Sequence, residues 1–294
     1  MLPAARPARL AVGVVGVGRV GSALAVALAR AGHAVVSVSG VSDASRRRAV
    51  ERLPSADIKP ADDVVRDAEL VLLTVPDDVL ASVVEGLAAV GAFKPGQIVV
   101  HTSGRHGLDI LRPAADRGAL PLALHPVMTF AGGAEDVERL VGTSFGVTAP
   151  EEYRAVGEAL VVEMGGEPVW VPEEARVLYH AALAWGSNYL VTLVTAAADL
   201  LRAAGAERPD LLLAPLLGAS LDNALRRGDA ALTGPVSRGD AGTVRAHLDV
   251  LRDTAPEVVP AYVALARLTA DRALRDGRLD PAAAAALLDT LAGS

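Results

Sequence analysis

The 294-residue chain contains no cysteine. That excludes disulfides, thiolate nucleophiles and thiolate-held zinc or iron–sulfur centres, and it suits a cytoplasmic protein. Lysine is nearly absent as well. Only Lys59 and Lys94 occur, arginine carries almost all the positive charge, and with abundant alanine this reads as a bias of genomic composition. Neither sign of charge dominates, because 35 acidic and 28 basic residues leave a net charge of −7, which is no nucleic-acid footprint. There is no P-loop, no HExxH helix and no nucleophile elbow. The histidines lack ligand spacing, which argues against a metal. An uninterrupted membrane-length run is missing too. The nearest candidate, Tyr179 to Leu201, is broken by His180, Ser187, Asn188 and Asp199, so a buried helix of a water-soluble domain is expected and no membrane partner.

What is present begins at Leu10. The stretch LAVGVVGVGRVGSALAVALARAGHAVVSVSG (10–40) reads as strand, glycine turn, helix and strand. Gly16, Gly18 and Gly21 follow the apolar run and open an alanine-rich helix, the context a dinucleotide-binding turn requires. Gly16 allows the tight turn, Gly18 lets backbone approach a pyrophosphate, and Gly21 lets helix and strand pack closely. Arg19 and Val20 complete this candidate cofactor-binding stretch, whose helix N-terminus offers free N–H groups to phosphates. Arg6 and Arg9 before an apolar run could suggest a secretory signal. The glycines inside the run and the amphipathic helix after it argue against that, and residues up to about Arg9 read as a loose leader.

Further apolar runs recur at 70–75, 97–101, 120–124, 145–147 and 168–171, with helical patterns at 79–89, 108–117 and 151–164 between most of them. Strands alternating with helices predict a doubly wound, mostly parallel sheet. After Pro172 the strand signals stop. One long helix is expected over 173–204, then helices at 209–227, 240–253, 257–276 and 281–291. The spacing thus predicts an α/β nucleotide-binding domain over 8–171 and an all-helical domain over 172–292, the latter expected to bind substrate and to form a homodimer. As a fold-level analogy, this order resembles the 6-phosphogluconate, β-hydroxyacid and ketopantoate dehydrogenases.

Ligands on such sheets sit at the carboxyl ends of the strands, so Ser39, Thr74, Val75, Pro76, Ser103 and His125 are candidates to line one crevice. An acid at the end of the second strand would bind a ribose 2′-hydroxyl. Ser39 stands there instead, and with Ser42 and the run Arg46 to Arg48 it favours the 2′-phosphate of NADP(H) over NAD(H), although Asp43 nearby offers an alternative for the ribose.

The segments HTSG (101–104), LHPVMTF (124–130), LYHAALAWGSNYL (178–190) and LTGPVSRGD (232–240) resemble the Rossmann-like proteins whose C-terminal half is domain of unknown function 2520. Members are similar to ketopantoate and pyrroline-5-carboxylate reductases. The resemblance implies an NADP-dependent reductase of a small substrate, 2-dehydropantoate first and a cyclic imine second. His180 falls roughly where β-hydroxyacid dehydrogenases place a catalytic lysine, and imidazole can supply the proton. His125, in an HP pair similar to that of prephenate dehydrogenases, is the second candidate acid. Asn188, two helical turns after His180, is expected on the same side, with Tyr179 and Ser187 pointing elsewhere. Ser103 would meet substrate or nicotinamide, Arg238 and Thr233 a substrate carboxylate, and Asp240 would cap a helix. His101 reads as strand interior, and His33 as remote from the crevice. A protein that senses dinucleotide without chemistry, or scaffolds, is the competing class.

Overall fold

Short β-branched runs form the strands, and patterns with apolar residues three and four apart form the helices. In the computed structural model, which describes residues 9–293, they follow as β1 (Ala11–Val15), α1 (Arg19–Arg30), β2 (Ala34–Ser39), α2 (Asp43–Arg52), β3 (Asp57–Ile58), α3 (Ala61–Asp67), β4 (Leu70–Leu73), α4 (Asp77–Ala89), β5 (Ile98–His101), α5 (Arg112–Ala115), β6 (Leu120–Pro126), α6 (Glu135–Arg139), β7 (Ser144–Thr148), α7 (Arg154–Glu163), β8 (Glu167–Trp170), α8 (Arg176–Ala203), α9 (Pro209–Arg227), α10 (Ala241–Thr254), α11 (Val259–Arg275) and α12 (Pro281–Ala292). Apart from Arg9, the expected leader lies outside the described residues. The chain divides into two compact units, one reaching to Trp185 and one starting at Gly186.

The first unit holds one sheet in the order β3-β2-β1-β4-β5-β6-β7-β8. Strands β1 to β6 run parallel, β7 turns antiparallel to β6, and β8 runs with β7. The order reverses between β1 and β4, which opens a crevice beyond their carboxyl ends. This is the mostly parallel, doubly wound sheet that the alternating pattern predicts. Side chains alternate between two cores. Val12, Val14, Leu70, Leu72, Leu122, Leu124, Phe145 and Val147 meet α1 and α7 on one face. Val15, Val71, Leu73 and Val99 meet α3 and α4 on the other. The same period of two puts His101, Ala123, His125, Gly146 and Thr148 on that second face.

Local chemistry explains the departures from expectation. The strand expected over 70–75 ends at Leu73, because Thr74 turns its hydroxyl into the glycine loop. The helix expected over 108–117 breaks into a 3-10 turn, Asp109–Leu111, and the four-residue α5 with Pro113 in its first turn. Elements α2, β3, α3 and α6 carry little apolar periodicity. Helix α2, DASRRRAVER, buries only Ala49 and is held by its Ser42 cap.

In the second unit, α10, α11 and α12 close a core at helical spacing through Val244 and Leu248, Ala266, Ala270 and Ala273, and Ala284, Leu287 and Leu291. Asp240 caps α10 by accepting from Thr243 N at 3.0 Å, and Asp280 caps α12 in the same way. Helix α8 corrects the expectation of a buried helix: Arg176 is its one buried residue, while Leu190, Val191 and Leu193 are exposed. Among the described residues one helical stretch, 173–203, is long and apolar enough to cross a membrane by length and composition alone.

Close packing in the first unit depends on a small residue in β1. A Cβ at Gly13 would sit 2.7 Å from the Val64 carbonyl oxygen and 2.9 Å from the Ala68 methyl in and beyond α3. Gly13→Ala is therefore expected to destabilise the protein by about 1–3 kcal/mol, measured as a lower denaturant midpoint at unchanged slope.

Candidate active site

The glycine loop is pinned from two sides. Gly16 takes a φ of +94°, which only glycine adopts freely. Its N–H and that of Val17 donate to the Ser39 carbonyl at 3.0 and 2.9 Å. The Gly16 carbonyl accepts from Gly18 N at 2.6 Å and from Thr74 Oγ1 at 2.7 Å. A side chain at Gly21 would collide with that Thr74 hydroxyl. At Gly18 a Cβ would meet nothing nearer than 3.8 Å, so this side of the loop is open. Helix α1 has no side-chain cap and no acid in its first turn. Open space beside uncapped N–H groups fits a dinucleotide pyrophosphate. Thr74 and Val75 brace the loop from β4, and Pro76 starts α4.

Basic side chains collect at the tip of β2. Arg46 Nε donates to the Gly40 carbonyl at 3.2 Å, and Ser42 caps α2 through Ser45 N at 3.1 Å. Arg19 and Arg48 both approach Gly132, in a turn whose N–H groups are held by buried Asp136. These three arginines and Ser39 are the groups here that could hold a ribose phosphate.

Beyond β5 and β6 lies a second cluster. His101 is fully buried: Nδ1 accepts from Ser103 N at 3.2 Å, so Nε2 carries the proton and donates to the Gly107 carbonyl at 2.7 Å. Burial pushes this imidazole down to about 4, and the Arg176 charge adds to the effect. Ser103, expected to meet a ligand, is instead buried, and its hydroxyl accepts from His106 N at 3.2 Å, because the tight turn after β5 needs that acceptor. Glu173 receives Leu108 N at 2.8 Å and Asp109 N at 3.3 Å. Asp77 and Arg105, 3.7 Å apart, tie the turn after β4 to the turn after β5.

His125 and His180 converge on Gly104. A Cβ there would lie 2.6 Å from His180 Cδ2 and 3.0 Å from His125 Nε2. The two rings stand edge to face with centroids 6.0 Å apart. Tyr179, expected to point elsewhere, places its hydroxyl 2.8 Å from His125 Nδ1, in the space left by Gly146. A 100° step along the helix does not separate neighbours when one is as long as tyrosine. Burial pushes His125 down to about 4, Arg176 and His180 adding to this. Behind them Arg176 is buried, with Nε on Thr148 Oγ1 at 2.8 Å, Nη1 on the Ser103 carbonyl at 3.3 Å, and Nη2 on the Ala123 and Gly146 carbonyls at 2.9 and 3.0 Å. Sequence reasoning passed over Arg176 and Tyr179. A lone arginine opening an apolar helix was the available signal.

The other candidates lie in the second unit. Asn188 is exposed on α8, and Arg238 Nη1 donates to the Thr233 carbonyl within their own exposed turn.

The state of His101 has a consequence for stability. Between pH 6.5 and about 4 the unfolded chain binds a proton that the folded chain refuses, so stability present above 6.5 is lost as pH falls through that window. The difference is on the order of 3 kcal/mol. Melting temperature should drop between neutral pH and about pH 4.5 and drop less in His101→Gln, which keeps a donor for Gly107. Equal drops in both proteins would refute this.

Comparison with known proteins agrees with the architecture. No curated protein matches the chain by sequence. Among solved structures, an assigned NADP oxidoreductase of Bacteroides fragilis superposes with a TM-score of 0.74 at 21% identity, over 90% of this chain and 98% of that one. A reductive aminase from Aspergillus terreus, in complex with NADPH and ethyl levulinate, gives 0.65 at 20% identity, over 92% and 95%. The pyrroline carboxylate reductase of Plasmodium falciparum, with NADP bound, gives 0.55 at 14% identity, over 90% and 98%. At these identities the likeness establishes the fold. Residues 3–126 match the Rossmann-like domain and residues 143–269 match the domain of unknown function DUF2520, so the chain carries these two domains in the order that its four motif segments suggest.

Proposed function

We propose that the protein is a cytoplasmic NADP-dependent reductase that transfers hydride to the carbonyl carbon of a small keto acid, with 2-dehydropantoate as the first candidate. The observation that carries this reading is the notch at Gly104, where His125 and His180 converge in the unit that also holds the open glycine loop. When bound, a reduced nicotinamide supplies the hydride. Gly16 to Gly21 would cradle its pyrophosphate, and Arg19, Arg46 and Arg48 would face a 2′-phosphate, in keeping with the NADP and NADPH of the two ligand-bound neighbours.

The pyrroline carboxylate reductase and the reductive aminase support imine reduction as the second reading. Electrostatics favours the carbonyl. Arg176 is buried beside the notch, and the surroundings hold His125 uncharged down to about pH 4. Burial opposes charge of either sign, but the Arg176 charge, which adds to the His125 shift, opposes an iminium substrate and favours the alkoxide that a carbonyl becomes.

The test is a thermal shift against NADPH and NADH, then turnover with 2-dehydropantoate and a cyclic imine. NADPH should give the larger shift. In His125→Ala, kcat should fall by about 10²-fold or more while NADPH affinity is retained, and His180→Ala, which removes the ring standing edge to face with His125, should cost less. Full activity in His125→Ala removes that histidine from the chemistry, and binding without turnover favours the sensing or scaffolding alternative.

We also propose a homodimer through the helical unit. Leu190, Val191 and Leu193 of α8 and Leu211, Leu212, Leu216, Leu221 and Leu225 of α9 are exposed, a concentration of large apolar side chains on two helices that fits a covered interface. Ser187, Asn188, Asp199 and Arg202 interrupt α8, which favours a second copy over lipid as the cover. Light scattering should report twice the 30.1 kDa chain mass, and Leu216→Asp should shift it toward one. A wild-type monomer would refute the dimer.

A further inference from the structure

His125 presents two nitrogens to different surroundings. Nδ1 faces the Tyr179 hydroxyl at 2.8 Å. Nε2 has no hydrogen-bond partner among the described residues and lies close to Gly104, where a Cβ would stand 3.0 Å away. It is not sealed, since Ser37 Oγ is the one fully buried side-chain polar atom without a partner among them. The Tyr179 oxygen lies within hydrogen-bond reach of the Gly146 backbone N–H, and the Gly146 carbonyl is taken by Arg176. If Nδ1 carried the proton, the phenolic hydrogen would need another acceptor, and the Gly146 carbonyl beside it already receives Arg176. With the hydrogen on the phenol, every group is satisfied.

We infer that Tyr179 donates to Nδ1 of a neutral His125, fixes the Nε2–H tautomer, and stands behind it as the proton source that replaces what His125 gives to substrate. This rests on the reductase reading above and deepens it. A reduced nicotinamide dinucleotide, held by the glycine loop, would supply hydride to the carbonyl carbon, and the C=O π pair would move onto oxygen. That oxygen takes the Nε2 proton, Nδ1 takes the phenolic proton, and a tyrosinate remains. In the return step Nδ1 gives its proton back to Tyr179 as water delivers one to Nε2, so the ring stays neutral. The imidazole is never an imidazolium, the form that burial and Arg176 oppose. Nor is it ever an imidazolide. The tyrosinate has two stabilising neighbours, the Arg176 guanidinium carbon 5.8 Å from the ring centre and the Gly146 backbone. His125 is thus the group that meets substrate, and Tyr179 is its positioning residue.

Groups facing this pair come from several elements: Arg176 and His180 on α8, Asp77 at the start of α4, and the Gly146 backbone on β7. Asp77 alone works toward charging His125, and burial, Arg176 and His180 outweigh it.

Long-range nitrogen–proton NMR of the free protein tests the arrangement without any substrate. His125 should show the Nε2–H pattern and no titration between pH 5.5 and 8, while Tyr179→Phe should give a mixture of tautomers. Titration near 6.5 or an Nδ1–H pattern in the wild type overturns the inference. With an active substrate in hand, Tyr179→Phe should lower kcat by about 10²-fold with KM for NADPH unchanged, and should abolish the alkaline limb of the rate profile. An unchanged kcat overturns it as well. Difluorotyrosine at position 179, which keeps the packing, should move that limb to lower pH, and this decides the matter should the phenylalanine variant fail to fold. If no carbonyl or imine substrate turns over, the reductase reading fails while the NMR result still decides the pair.

Discussion

The site depends on one buried cation that has no carboxylate partner. Arg176 reaches three backbone carbonyls and one hydroxyl, on β6, on β7 and in the turn after β5. Burying a charge costs several kcal/mol unless its donors are all met, and here a planar fork of donors meets four fixed acceptors. A lysine could not replace it, because an ammonium is a point charge on a flexible stem and cannot span three strand ends. The guanidinium fastens the first turn of α8 to the sheet, and with it Tyr179 and His180. The same charge makes the notch hostile to further positive charge.

Why the sheet offers those acceptors follows from its pleat. Ala123, His125, Gly146 and Thr148 share the face that α8 meets, and the pattern is small or polar where the opposite face carries Leu122, Leu124, Phe145 and Val147. Gly146 leaves room for a phenol, and Gly104 leaves room for two imidazoles. Pairing of β6 with β7 in antiparallel register is what brings His125 opposite Gly146. The notch is therefore a product of strand register more than of any local motif.

That explains what could be read in the residues alone. The glycine loop, the alternation of strands and helices, the helical half and the two histidines are local or periodic signals, and they carried the fold, the cofactor class and the pair of imidazoles that meets at Gly104. Ser103 misled because a serine at a strand end looks free until the turn that consumes its hydroxyl is known. The expectation for α8 failed for another reason: apolar composition marks a face suited to burial, but not whether its own chain buries it. Arg176 escaped notice because its importance depends on the pairing of β6 with β7, and one-residue spacing on a helix argued wrongly that Tyr179 and His180 must diverge.

The two ends of the crevice solve opposite electrostatic problems with the same economy. At the glycine loop, uncapped N–H groups present positive potential without any formal charge, which suits a phosphate that stays ionised throughout. At Gly104, under the proposed reduction, charge would have to appear and vanish within a turnover, so a fixed ion at the point of reaction would favour one state and trap it. A neutral imidazole backed by a phenol, with the compensating guanidinium one layer deeper and locked to backbone dipoles, lets charge develop where the substrate needs it. Because the loop, the histidines, Tyr179 and Arg176 all belong to one compact unit, their mutual geometry is held by a single sheet.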